Sequence, residues 1–200
     1  MNKTDKRTLR LCELASTRAG FPVRSRVEHD PQGDMLIVQP ANLSPWQSID
    51  FDCLHRFNSQ GKGAGYHSIG QGEILFYGRA GQKYAVLVDQ APPARTVAAG
   101  SLFVISVKNP DILPEYLTWY LNSRQALDYF QIMTGGSPQR VVTKTILDKL
   151  EIDLPGPDIQ REIVEIWSLW LKEKELTSQM LDKKESLVLS GIDALKGNRT

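Results

Sequence analysis

The sequence predicts a mixed α/β domain with a small β-sheet over residues 1–155, followed by a long coiled-coil-type helix over residues 156–200. Three observations predict it. Short β-rich runs bounded by Gly and Pro fill the first hundred residues. An amphipathic segment begins at Pro114, a residue suited to a first helical position. From Asp158 to Leu195 there is no proline, and the only glycine is Gly191.

The elements follow in order. Leu9 to Thr17 reads as a short helix ending before Gly20. Met35–Gln39, Glu73–Tyr77, Tyr84–Val88 and Leu102–Val107 read as strands. From Pro114, the residues Leu117, Tyr120, Leu121 and Leu127 recur at helical spacing and Phe130 extends their face, so one helix is expected, ended by Gly135-Gly136. A shorter helix is expected from Thr143 as N-cap. Leu150–Leu154 alternates apolar and acidic residues, the pattern of a half-buried strand, and Pro155-Gly156-Pro157 stops it.

The last segment has a different character. Asp158 is placed to cap a helix, with Glu162 in its first turns. Ile163, Ile166, Trp170, Leu176, Met180 and Leu187 form an apolar stripe, interrupted at seam positions by Glu173 and Lys183. Roughly 36 helical residues extend about 54 Å. That exceeds the width of a domain this size, so the stripe is expected to pack against another helix and to hold a dimer or a larger assembly, with a helix folded back along the domain as the alternative.

Composition narrows the function. Hydrophobic residues make up 41% and charged residues 24%, which suits a folded globular chain rather than a disordered one. No apolar run approaches the roughly 20 residues that span a bilayer, so no membrane role is expected. Cys12 and Cys53 have no metal-type spacing and suggest reduced thiols in the cytoplasm. Residues 1–145 carry 16 Lys and Arg against 12 Asp and Glu, and residues 146–200 carry 8 against 11. A mildly basic body with a mildly acidic tail permits nucleic-acid binding by the body.

Catalytic patterns are absent. Gly61-Lys62-Gly63-Ala64-Gly65 lacks the strand and helix of a phosphate loop. His29, His55 and His67 have no partner at metal-ligand spacing. Ala91-Pro92-Pro93-Ala94 has the prolines of an amino-methyltransferase loop but not its amine-holding residue or its aromatic. Asp158 and Asp182 would stand about 36 Å apart on one helix, so they cannot share a nuclease metal. The expectation is a chain without catalytic residues, metal or cofactor.

A distributed pattern carries more information. Leu9–Ala15 followed by Gly20, Gly72–Phe76 followed by Gly78-Arg79-Ala80-Gly81, and Ile112–Leu117 followed by Tyr120–Ser123 succeed one another in order. Gly136-Ser137-Pro138-Gln139, Ile152–Pro155 and Ile159–Val164 complete the series. Together they resemble the specificity subunit of type I restriction–modification systems, over about residues 8–195, in a half-length form with a single target-recognition domain.

The resemblance implies a function. Such a subunit binds double-stranded DNA by sequence and directs a methyltransferase complex to its target, without catalysis of its own. It implies methyltransferase subunits as partners and leaves a restriction subunit open as another. It also implies that two half-length copies associate through their helices, which then act as a ruler between two recognition domains. Base-reading residues do not transfer by motif, so the candidates rest on residue chemistry. Lys62, Arg79, Lys83 and Arg140 can meet phosphate or guanine, and Tyr66, Ser137 and Gln139 can donate and accept hydrogen bonds. Two other readings stand beside this one: a protein-interaction or regulatory module that keeps the fold without binding DNA, and an enzyme of a type these patterns do not reveal.

Overall fold

The computed structural model describes residues 7–23, 27–44, 48–59, 67–79, 81–135 and 141–197. The chain divides into two compact units, residues 1–161 and residues 162–200.

The first unit opens with strand β1 (Arg7–Arg10), a single helical turn α1 (Leu11–Leu14) and strand β2 (Ala15–Ala19). The helix expected over Leu9–Thr17 is therefore only one turn long. Its flanks are claimed by distant strands: Arg7–Arg10 pair with residues 151–154, and Ala15–Ala19 with residues 103–107. Strands β3 (Met35–Val38), β4 (His55–Phe57), β5 (Ile74–Arg79), β6 (Gln82–Leu87), β7 (Thr96–Ala98) and β8 (Leu102–Val107) follow. After them come helices α2 (Pro114–Leu121), α3 (Arg124–Thr134) and α4 (Lys144–Asp148), strand β9 (Glu151–Leu154) and helix α5 (Pro157–Gly197).

The strands form three sheets. Four antiparallel strands run in the order β2-β8-β5-β6, three run β4-β3-β7 with β3 and β7 parallel, and β1 pairs with β9. Side chains alternate across a strand, and the alternation of β5 sets the layers. Leu75 and Tyr77 pack with Leu36, Val38, Val86, Leu102 and Val104, between the four-stranded and three-stranded sheets. Phe76, on the other face, meets Phe130 of α3 with ring centroids 5.2 Å apart. The central strands are thus covered on both faces, which is why Ile74–Phe76 is continuously apolar. In β3, Met35 and Ile37 turn away from Leu36 and Val38 into a second cluster with Phe21, Phe57 and Val97.

The single helix expected from Pro114 is two helices. Asn122 ends α2, and Ser123 caps α3 by accepting from the Ala126 amide. The buried Asn122 side chain accepts from the Ala85 amide at 2.9 Å and donates to the Ala85 and Thr118 carbonyls at 2.8 and 2.9 Å. It fills the backbone positions that a further strand would take on edge strand β6. Thr143 caps α4 as expected. Tyr116 and Tyr120 of α2 donate to the carbonyls of Asp153 and Glu151, tying the helix to β9. Burial pushes both phenol pKa values up, so the hydroxyls stay protonated donors.

Helix α5 begins at Pro157, one residue before the expected cap, so Asp158 lies in its first turn. Proline suits that position because its missing N–H would have had no partner there. Within the first unit, the fully buried Gln160 accepts from the Leu113 amide at 2.9 Å and donates to the carbonyls of Asp111 and Pro155 at 2.7 and 2.9 Å.

In the second unit, α5 presents apolar side chains to solvent. Ile166 is 69% exposed, Leu176 57% and Leu187 73%, and Trp170 and Met180 are exposed too, while Ile163 is half-buried. Leu169, which the sequence pattern left out of the stripe, lies on the same face at helical spacing from Ile166 and Leu176 and is 62% exposed. Trp167 and Trp170 stack with centroids 4.6 Å apart, and the Lys174 ammonium lies 5.4 Å from the centre of the Trp170 ring. Among the described residues, no helix is long and apolar enough to cross a membrane.

Candidate nucleic-acid interface

Strands β5 and β6 form a tight hairpin. Arg79 pairs with Gln82 across a two-residue turn, and Gly81 in that turn has φ +80°, a conformation glycine adopts without strain. Gly78 has a different reason. A Cβ there would meet the Phe76 ring at 2.7 Å and Val142 at 2.8 Å, and the Gly78 carbonyl accepts from the Val142 amide at 2.8 Å. The absent side chain lets the segment leading into α4 lie directly on the hairpin.

Arg79 and Lys83 both belong to this hairpin but not to one face of it. Lys83 pairs with Gly78 and Arg79 with Gln82, so alternation turns the two side chains to opposite faces. Arg79 shares the face of Tyr77 and Leu75 and is exposed. Lys83 shares the face of Gly78, beside Val142, and is half-buried. Among the described residues, the Arg79 guanidinium forms no ion pair with any carboxylate. The other candidates, Lys62, Tyr66, Ser137, Gln139 and Arg140, lie outside the described residues.

Arg79 borders an open groove whose other lining residues include Gly20, Val23, Gln39, Gly100 and Ser101. The groove forms where the ends of β2, β3, β5 and β7 meet the start of β8. Backbone bonds fix that corner: Gly20 donates to Leu102, Phe21 to Ala98 and Ala99 to Val38, at 2.9, 2.7 and 2.8 Å. A Cβ on Gly20 would stand 2.2 Å from the Ala99 carbonyl oxygen, so only glycine allows these strand ends to close. Gln39 and Ser101 were invisible to sequence reasoning as site residues because each lies far along the chain from Arg79. Gly100 beside Ser101 was the only local signal, and Gln39 had none.

The other notable cation is already engaged. Arg18 forks onto Glu73 at 2.6 and 3.0 Å and also donates to Ser106 Oγ and the Ser68 carbonyl. Burial pushes the Glu73 pKa up, but hydrogen bonds from Arg18, Ser106 and the Gly70 amide, with the Arg18 charge, outweigh it and leave the value lowered. This cluster links β2, β8 and the approach to β5, so it is structural. Asp34 is similar: the Ser59 amide and hydroxyl hold its pKa below the usual range. Among the described residues, no group of His, Cys, Asp or Glu is placed to hold a metal ion.

A hairpin tip with an exposed guanidinium beside an open groove can donate to phosphate oxygens or to base edges. Comparison with known proteins bears on what it meets. The family model of the type I restriction modification DNA specificity domain matches residues 67–183. The chain belongs to this family. Within the specificity domain, the match takes in the β5–β6 hairpin, helices α2 to α4 and much of α5.

Solved structures share the fold. One comes from a study of complex assembly and conformational transition of the type I R-M system: 16% identity, TM-score 0.61, covering 98% of this chain and 44% of that one. The type I restriction-modification S subunit from M. genitalium has 13% identity and a TM-score of 0.58, with 89% and 42% covered. The HsdS subunit from Thermoanaerobacter tengcongensis has 17% identity and a TM-score of 0.57, with 87% and 38% covered. The chain therefore spans less than half the length of these relatives in fold. Comparison with curated proteins finds no match.

Proposed function

We propose that this chain supplies DNA-sequence specificity to a type I restriction–modification complex. The observation that carries the reading is the match to the DNA specificity family over residues 67–183, which takes in the hairpin, the helical layer and much of the long helix. The recognition unit reads a duplex, and methyltransferase subunits bound to it carry out the chemistry. A restriction subunit is a further partner of the same assembly. The chain itself is non-catalytic: the methyl donor belongs to its partners.

Arg79 and Lys83, on opposite faces of one hairpin, contact DNA from its tip and its flank. Lys62, Tyr66, Ser137, Gln139 and Arg140 are proposed as further contacts on the strength of their chemistry. The exposed face of α5, through Ile163, Ile166, Trp170, Leu176, Met180 and Leu187, pairs with the same face of a second copy. The protein works in the cytoplasm, where its DNA substrate is.

Binding to labelled duplex DNA over a series of salt concentrations tests this reading, with the full chain alone and with its methyltransferase subunits. Affinity should fall steadily as salt rises, because phosphate contacts release counterions. Failure to bind at every salt concentration in both preparations would favour an interaction module that keeps the fold without DNA. Labelled methyl donor added to the purified chain and DNA should yield no methylated product; turnover would refute the non-catalytic assignment.

A further inference from the structure

We propose that the groove beside Arg79 receives base edges of the target duplex, with Arg79 and Gln39 as sequence-reading side chains. This rests on the DNA-binding reading above and adds to it the seat of recognition and the reading residues.

The chemistry of the groove is selective. Among the described residues, its lining contains one cation, Arg79, and no acidic side chain, so a nucleic acid meets no repulsion there. A seat for phosphate alone would gather several N–H donors or cations. This groove instead sets a guanidinium beside a carboxamide, Gln39, and a hydroxyl, Ser101, with Pro22, Val23 and Val27 as apolar wall. Those are the partners that base edges demand. A guanidinium forks onto the O6 and N7 acceptors of guanine, a carboxamide pairs with N6 and N7 of adenine, and apolar groups meet the thymine methyl.

The geometry supports reading rather than loose attraction. Arg79 leaves the end of a paired strand, one residue from the packed Gly78. Gln39 directly follows β3, and its amide is held by the Asn42 side chain at 2.9 Å. The intervening corner carries the three backbone bonds of Gly20, Phe21 and Ala99. Both reading residues thus start from fixed backbone, as discrimination between bases requires.

The decisive experiment is selection from a pool of randomised duplexes by the full chain, alone and with its methyltransferase subunits, followed by sequencing of the enriched DNA. Wild type should enrich one motif. Arg79→Ala should lose preference for guanine at one position of that motif by about 5- to 150-fold, and Gln39→Ala should relax an adenine position by a similar factor. Arg124→Ala, on the exposed surface of α3, should leave the motif unchanged. A motif unaltered in Arg79→Ala or in Gln39→Ala overturns the paired reading. Uniform weakening of all sequences by Arg79→Ala, with the salt dependence flattened by roughly 0.9 in log–log slope, overturns it in favour of a phosphate contact. If wild type enriches no motif in either preparation, the DNA-binding reading fails first and takes this proposal with it.

Discussion

Asn122 joins a helix end to a sheet edge through three hydrogen bonds, two of them to the backbone of Ala85. Its replacement by alanine leaves a buried amide and carbonyl unpaired, and each such group costs about 1–3 kcal/mol. Asn122→Ala should therefore lower unfolding free energy by about 3 kcal/mol in urea titration. Gly78→Ala tests close packing: the new methyl meets Phe76 and Val142 well inside van der Waals distance, and overpacking of this kind costs about 1–3 kcal/mol. The Arg18–Glu73 fork carries a pH signature. The folded-state pKa of Glu73 is lowered from 4.5, so its contribution is complete above that value and is lost as pH falls through the lower folded value. Wild type should thus lose stability more steeply than Glu73→Gln does as pH falls below 4.5, measured by urea midpoint. Both charges are partly exposed, so Arg18→Ala should cost about 2 kcal/mol, below the ~3–5 of a fully buried pair.

At the scale of elements, helix α5 is 41 residues long, about 60 Å, and carries its apolar side chains in the open. If that face pairs with a second copy, each buried side chain contributes roughly 1.5–3 kcal/mol. Ile166→Asp with Leu187→Asp should then weaken association a hundredfold or more, visible by light scattering as a shift to lower mass. A wild type that stays monomeric at high micromolar concentration would refute the pairing. How legible each element was in the sequence follows from where its signal lay. Strand β8 matches the expected Leu102–Val107 residue for residue, because it opens with the apolar run Leu102–Ile105, whose Leu102 and Val104 are buried on one face and Ile105 on the other. Strands β1, β2, β4 and β7 gave no local signal: they are three to five residues long and owe their form to distant partners. Apolar periodicity runs straight through the α2–α3 break, and only Ser123, a good capping residue, hinted at it. The hairpin bearing Arg79 was legible from its flanking glycines. The groove was not, since residues near 20, 39, 79 and 100 meet only through the pairing of two sheets.

For the molecule as a whole, a net charge of +1 says little about DNA, and the recognition unit is only mildly basic. Under the proposed function, affinity for DNA comes from local placement of a few cations and from the assembled complex rather than from a broad positive field. Such a protein should show modest non-specific binding and a shallow salt dependence compared with strongly basic DNA-binding domains. Under the proposed function, this chain sets which sequence is methylated. Sequencing of base modifications in genomic DNA, from cells with and without the gene and with the methyltransferase genes intact in both, tests that claim most directly. One methylated motif should disappear when the gene is removed and return when it is restored. A modification pattern identical in both strains, with the protein present in the first, would contradict it.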